Sequence, residues 1–126
     1  MKIRRILIAN RGEIAVRIMR TARNMKIETV AVKTSVEPNA MFLAGADIIY
    51  DNTEDISEIP VFLNIERLIA IALETKCDAV HPGYGFLAEN AYFAQKCLDN
   101  NINFIGPSPD AIYKMGNKTI ARRLAM

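Results

Sequence analysis

The sequence predicts an α/β fold: a parallel sheet of about five strands with helices on both faces. Three observations carry that expectation. Short, apolar, often β-branched runs recur along the chain, as in strands buried on both sides. Between them lie longer segments whose apolar residues repeat at helical spacing. The two kinds alternate throughout, which favours parallel strands joined by crossover helices.

Taken in order, Ile6-Leu7-Ile8-Ala9 is too brief for a helix and suits a buried strand. After Asn10-Arg11-Gly12, the residues Ile14, Ala15, Ile18, Ala22 and Met25 mark a helix over Gly12–Asn24. Thr29-Val30-Ala31-Val32 is the second strand. Pro38 breaks the chain before a short helix around Asn39–Ala46, and Asp47-Ile48-Ile49-Tyr50 is the third strand. Asp51–Ile59 is acidic and unpatterned, a loop. Leu63–Thr75 carries Ile65, Leu68, Ile69, Ala72 and Leu73 on one helical face. Asp78-Ala79-Val80 is a brief strand, followed by the loop HPGYG and a helix around Glu89–Asn100. Asn103-Phe104-Ile105 is the last strand, stopped by Gly106-Pro107-Ser108-Pro109, with a short helix over Pro109–Met115 beyond it.

The bulk numbers fit one soluble domain. A chain of 126 residues is long enough to bury its own core but short for two domains. Hydrophobic content of 51% and charged content of 24% are ordinary for a globular protein. A net charge of +2 is too small to imply a nucleic-acid or acidic-lipid partner. The basic residues Arg4, Arg5, Arg11, Arg17, Arg20 and Arg23 read first as a solvated helix face. Cys77 and Cys97 stand far apart, outside any metal-ligand spacing, and read as free thiols of a reducing compartment. No run approaches the roughly 20 apolar residues of a membrane span. The N-terminus enters a strand at once, leaving no room for a signal peptide. The cytoplasm is the expected location.

In parallel sheets ligands gather beyond the carboxyl ends of the strands. Asn10-Arg11-Gly12, His81–Gly85 and Gly106–Pro109 all fall at that edge. A dinucleotide site would want GxGxxG after the first strand, and ANRGEIAVR offers one Gly, with bulky Arg11 where close approach is needed. No GxxxxGK[ST] phosphate loop and no GxSxG are present. His81, the one His, reads as a strand-end residue that hydrogen-bonds the backbone.

Together these rim segments are more specific than any one of them. IANRGEIAVRIMRTAR (Ile8–Arg23), LNIERLIAIALETKCDAVHPGYGFLAENAYFA (Leu63–Ala94) and FIGPSPDAIYKMGNK (Phe104–Lys118) resemble the start of biotin carboxylase. The likeness covers nearly the whole chain. It implies a Rossmann-like pre-ATP-grasp domain over residues 1–115, with 116–126 beginning an ATP-grasp region. The parent enzyme of the family uses ATP, Mg²⁺ and bicarbonate to carboxylate biotin held on a carrier protein. By resemblance Tyr84, between Gly83 and Gly85, faces the cleft near biotin, and Lys118 contacts the nucleotide. Arg17 and Arg20 match arginines at a homodimer interface. No metal ligand and no catalytic residue is expected in this stretch.

Elementary chemistry agrees with parts of this. Gly83 and Gly85 would let main-chain N–H groups face an anion, as in backbone nests, beside the N-terminus of the helix expected near Glu89. Tyr84 offers a flat apolar ring with a polar tip, suited to a ureido ring, or equally to plugging a domain interface. Lys118 suits a phosphate but is also an ordinary surface residue. Arg17 and Arg20 share a helix face, solvated or at a dimer contact. Asn10 and Glu13 are expected to fix the first helical turn.

Several positions depart from the family pattern. Lys26 replaces a helix-ending Gly, where a left-handed cap would cost about 1 kcal/mol. Asn24 stands in place of an acidic dimer-contact residue, Asn117 in place of Asp, and KTSVEPNAMF (Lys33–Phe42) lacks the usual Asp- and His-containing pattern. The resemblance places the metal-binding carboxylates and glycine-rich lid beyond Met126, so catalysis by this chain alone is not expected. Two rivals are another ATP-grasp ligase, which would lack HPGYGFL, and a non-catalytic dimerisation or interaction module.

Overall fold

The computed structural model describes residues 3–106 and residue 112. The strands are β1 (Arg5–Ile8), β2 (Glu28–Lys33), β3 (Ile48–Asp51), β4 (Ala79–His81) and β5 (Asn103–Phe104). They form one five-stranded sheet in the order β3-β2-β1-β4-β5, every pair parallel. The helices are α1 (Gly12–Asn24), α2 (Ile65–Glu74) and α3 (Ala91–Asp99), with 3₁₀ turns at Met41–Gly45 and Val61–Leu63.

Successive strand side chains alternate between two buried clusters, one on each face. Leu7, Val30, Val32 and Val80 join Leu68, Ile71, Phe93 and Cys97 under α2 and α3. Ile6, Ile8, Ala31 and Ala79 join Ala15, Ile18, Met19 and Phe42 under α1 and the first 3₁₀ turn. A sheet covered on both sides needs apolar residues at consecutive positions, which is why the strands read as runs without alternation. The expected α/β class and helices on both faces are therefore observed.

Boundaries moved where caps decide them. α1 spans Gly12–Asn24 as expected. α2 starts at Ile65 instead of Leu63, because the Asn64 side chain accepts from the Arg67 N–H at 3.1 Å and caps it. α3 starts at Ala91, after Asn90, which accepts from the Phe93 N–H at 2.9 Å, so Glu89 lies outside the helix. The short helix expected around Asn39–Ala46 is the 3₁₀ turn Met41–Gly45, long enough only to bury Phe42 and Leu43. Of the segment expected to be helical over Pro109–Met115, only Ile112 is described, and it is helical and buried.

The helices α1, α2 and α3 close in the same way. Lys26, Lys76 and Asn101 each adopt a left-handed backbone, φ +60°, +59° and +60°. The following residue donates back to the helix: Ile27 to Ala22, Cys77 to Ala72 and Ile102 to Cys97, each at 2.8 Å. These are Schellman closures made without glycine.

Cys77 and Cys97 are free and buried, and burial raises both thiols, Cys97 to about 12. Among the described residues no helix is long and apolar enough to cross a membrane.

Candidate functional site

The chain leaves β1 toward β2 and leaves β4 toward β5, so the order of connections reverses between these neighbours. In a parallel sheet that reversal opens a crevice at the carboxyl ends of the two strands. Ile8 stands opposite His81 in register, and the Ala9 N–H donates to the His81 carbonyl at 3.0 Å, so Asn10 and Pro82 follow side by side.

Asn10 fills the crevice. It is 3% exposed, and its Nδ2 donates to the carbonyls of Pro82 at 2.8 Å and Tyr84 at 2.7 Å. Its Oδ1 accepts from the Arg11 N–H at 2.8 Å, which orients the amide toward the turn. The expectation that Asn10 fixes the first turn of α1 is corrected: the cap position is Arg11, which makes no side-chain cap bond. Glu13 does not cap either; it pairs with Arg17 at 3.5 Å on the exposed face.

Gly83 is dictated by that contact. A Cβ on Gly83 would lie 2.6 Å from Asn10 Nδ2, and its φ is +68°. The Gly83 N–H donates to His81 Nδ1 at 3.1 Å, so this donor is already used within the turn instead of facing an anion. His81 accordingly serves the backbone, as expected, and burial lowers its pKa. Gly85, φ +65°, meets nothing within 4 Å of a notional Cβ, so its backbone conformation alone requires glycine. Between the two glycines Tyr84 is 78% exposed.

Two grooves flank this turn. One, of about 550 Å³, is lined by Ile14, Arg17, Ile18, His81, Tyr84 and Ile105 among others. The second, of about 570 Å³, lies beyond the ends of β2 and β3, with Val36, Asp55, Phe62 and Phe86 on its walls. Phe86 is itself left-handed, φ +43°, and its ring lies 5.4 Å from that of Phe62. Arg11 borders the second groove as a bidentate partner of Glu37, through Nε and through Nη2 at 2.6 Å. The guanidinium holds the Glu37 carboxyl below the usual range, and Glu37 raises Arg11 in turn.

Of the residues singled out from sequence, Gly83, Tyr84 and Gly85 share this lip with Arg11, and Gly106 ends the neighbouring β5. Arg17 and Arg20 are exposed on α1, whose buried side carries Ala15, Ile18, Met19 and Ala22. Lys118, Asn117 and Pro107 lie outside the described residues. Among the described residues no group of three or more His, Cys, Asp or Glu side chains is placed to hold a metal ion. Asn10 is the residue whose role sequence reasoning missed. Its signal was a polar side chain immediately after a buried strand, with glycine waiting in a distant loop.

Residues 2–112 match the family described as "Biotin carboxylase, N-terminal domain". Biotin carboxylase 1 of Bacillus subtilis is 49% identical over 120 residues, covering 95% of this chain and 26% of that protein. Human mitochondrial pyruvate carboxylase is 43% identical over 124 residues, covering 98% of this chain and 10% of that protein. The biotin carboxylase domain dimer of Hydrogenobacter thermophilus 2-oxoglutarate carboxylase, solved with MgADP, ADP and bicarbonate, superposes with a TM-score of 0.82. It is 41% identical, and the match covers 90% of this chain and 24% of that one. The chain thus spans about a quarter of the biotin carboxylase relative and a tenth of the pyruvate carboxylase. With this sheet order, this lip and a family match running from β1 past β5, the chain belongs to the biotin carboxylase N-terminal domain family.

Proposed function

We propose that this domain forms one wall of the cleft in which an ATP-dependent biotin carboxylase carboxylates biotin presented by a carrier protein or carrier domain. The observation that carries the reading is the convergence of the Arg11 and Tyr84 turns on the switch-point lip, tied by Asn10. Tyr84, exposed between two glycines, supplies a flat ring with a polar tip against the ureido ring of biotin. Gly85, with open space about it, leaves the approach clear. Lys118 contacts the nucleotide, and ATP with bicarbonate supplies the activated carboxyl group. The Mg²⁺ that accompanies ATP would be held by carboxylates of the enzyme outside the described residues, together with the phosphates of ATP.

Residues 1–115 make up the Rossmann-like domain, and 116–126 begin the ATP-grasp region. Arg17 and Arg20 face a second copy in a homodimer, supported by their exposure on one helix face and by the dimeric 2-oxoglutarate carboxylase domain. Two buried free thiols suit the reducing cytoplasm.

The decisive experiment uses the full-length enzyme. Lys118→Ala is expected to raise KM for ATP by about tenfold or more, as for a lost charge-assisted hydrogen bond. An unchanged KM removes Lys118 from the nucleotide site. Tyr84→Ala is expected to raise KM for biotin while sparing KM for ATP, and the opposite pattern would reverse the two assignments.

A further inference from the structure

We infer that Asn10 is a positioning residue that holds Tyr84 at the mouth of the cleft. The inference rests on the reading that Tyr84 faces biotin, and adds what fixes the ring there. Tyr84 is too exposed to be held by packing of its own. Its backbone is unusually permissive on both sides, since its neighbours Gly83 and Gly85 are glycines. What restrains the turn is hydrogen bonding: the Gly83 N–H to His81, the Ala88 N–H to the Gly85 carbonyl at 2.9 Å, and the two bonds from Asn10.

Of these bonds only one from Asn10 reaches Tyr84 itself, and both Asn10 bonds come from the segment that follows β1. They grip the carbonyls on either side of Gly83, so both the entry to the turn and the Tyr84 peptide are tied to β1. Burial of the amide keeps water from replacing it, and the Arg11 N–H fixes its orientation. Gly83 completes the fit from the other side, since only hydrogen leaves room for the amide.

Two substitutions break the same contact from opposite sides. Asn10→Asp keeps the shape and the bond from Arg11 but aims an oxygen at two carbonyls. Gly83→Ala pushes a methyl into the amide. Hydrogen exchange on the chain should quicken about tenfold or more over residues 82–88 in both variants, with Ile65–Glu74 unchanged. In full-length biotin carboxylase carrying the same changes, kcat/KM for biotin should fall about tenfold while KM for ATP stays constant.

Unchanged exchange over 82–88 in both variants overturns the role of Asn10. Faster exchange with unaltered kcat/KM for biotin instead retires Tyr84 as the biotin-facing residue and leaves the Asn10 anchor standing. Acceleration spreading through Ile65–Glu74, with a raised KM for ATP, would mean general destabilisation and would also overturn the inference.

Discussion

Lys26 and Lys76 occupy the same left-handed backbone conformation, each one residue beyond the C-cap of its helix. Each closes a Schellman motif on an opposite face of the sheet. Side chains with a Cβ are strained there, and glycine is not. Lys26→Gly and Lys76→Gly should each stabilise the chain by about 1 kcal/mol, visible as higher urea midpoints. The gains should add, because α1 and α2 pack against separate cores. Lys26→Val should shift the midpoint the other way. Midpoints unmoved by both glycines would show that these closures carry no strain.

His81 predicts a pH dependence of stability. Burial lowers its pKa below the ordinary 6.5, so between the two values the unfolded chain binds more protons than the folded one. Stability is then complete above about 6.5, falls as the pH drops through that value, and levels off below the folded-state pKa. Protonation must also compete with the bond that Nδ1 accepts from the Gly83 N–H. In urea titrations from pH 8 to 5, His81→Gln should flatten this decline. A wild-type midpoint constant over that range contradicts the assignment.

The thiols give a simpler check. Cys97 is fully buried and raised to about 12, and Cys77 is raised by the same cause. Neither should react with a thiol-specific disulfide reagent in the native chain at pH 8. Both should react in urea, releasing two equivalents per chain. Rapid native labelling would mean that α3 opens readily from the sheet.

Activity should depend on parts of the relatives that this chain does not span. Purified alone, it is expected to show no biotin-dependent ATP cleavage, measured as ADP release with and without free biotin. Turnover above the buffer rate would place the nucleotide site inside these residues and displace the proposed division of labour.

Much of the fold was legible because both kinds of burial leave periodic signals. Gly12–Asn24 shows its apolar stripe in plain sequence, and the apolar runs of β1 and β2 announce a sheet covered on both faces. The left-handed position at Lys26 was legible too, from a glycine expected by resemblance. Helix starts were less so. Apolar Leu63 looks like the beginning of α2, but the start is decided by the Asn64 cap, a single hydrogen bond outside the apolar stripe. The site was legible as a set of loops, not as a contact. Nothing near Asn10 in sequence reveals that its partners lie 72 and 74 residues away.

The pairing of Ile8 with His81 carries a consequence for engineering. Because these two residues stand level, the tyrosine-bearing loop and the asparagine that braces it leave the scaffold at equal height, and neither loop carries that alignment within itself. Transplanted together onto a host barrel or layered fold whose adjacent strands share this offset, they would reassemble. Moved singly, each would arrive without the geometry that gives it meaning.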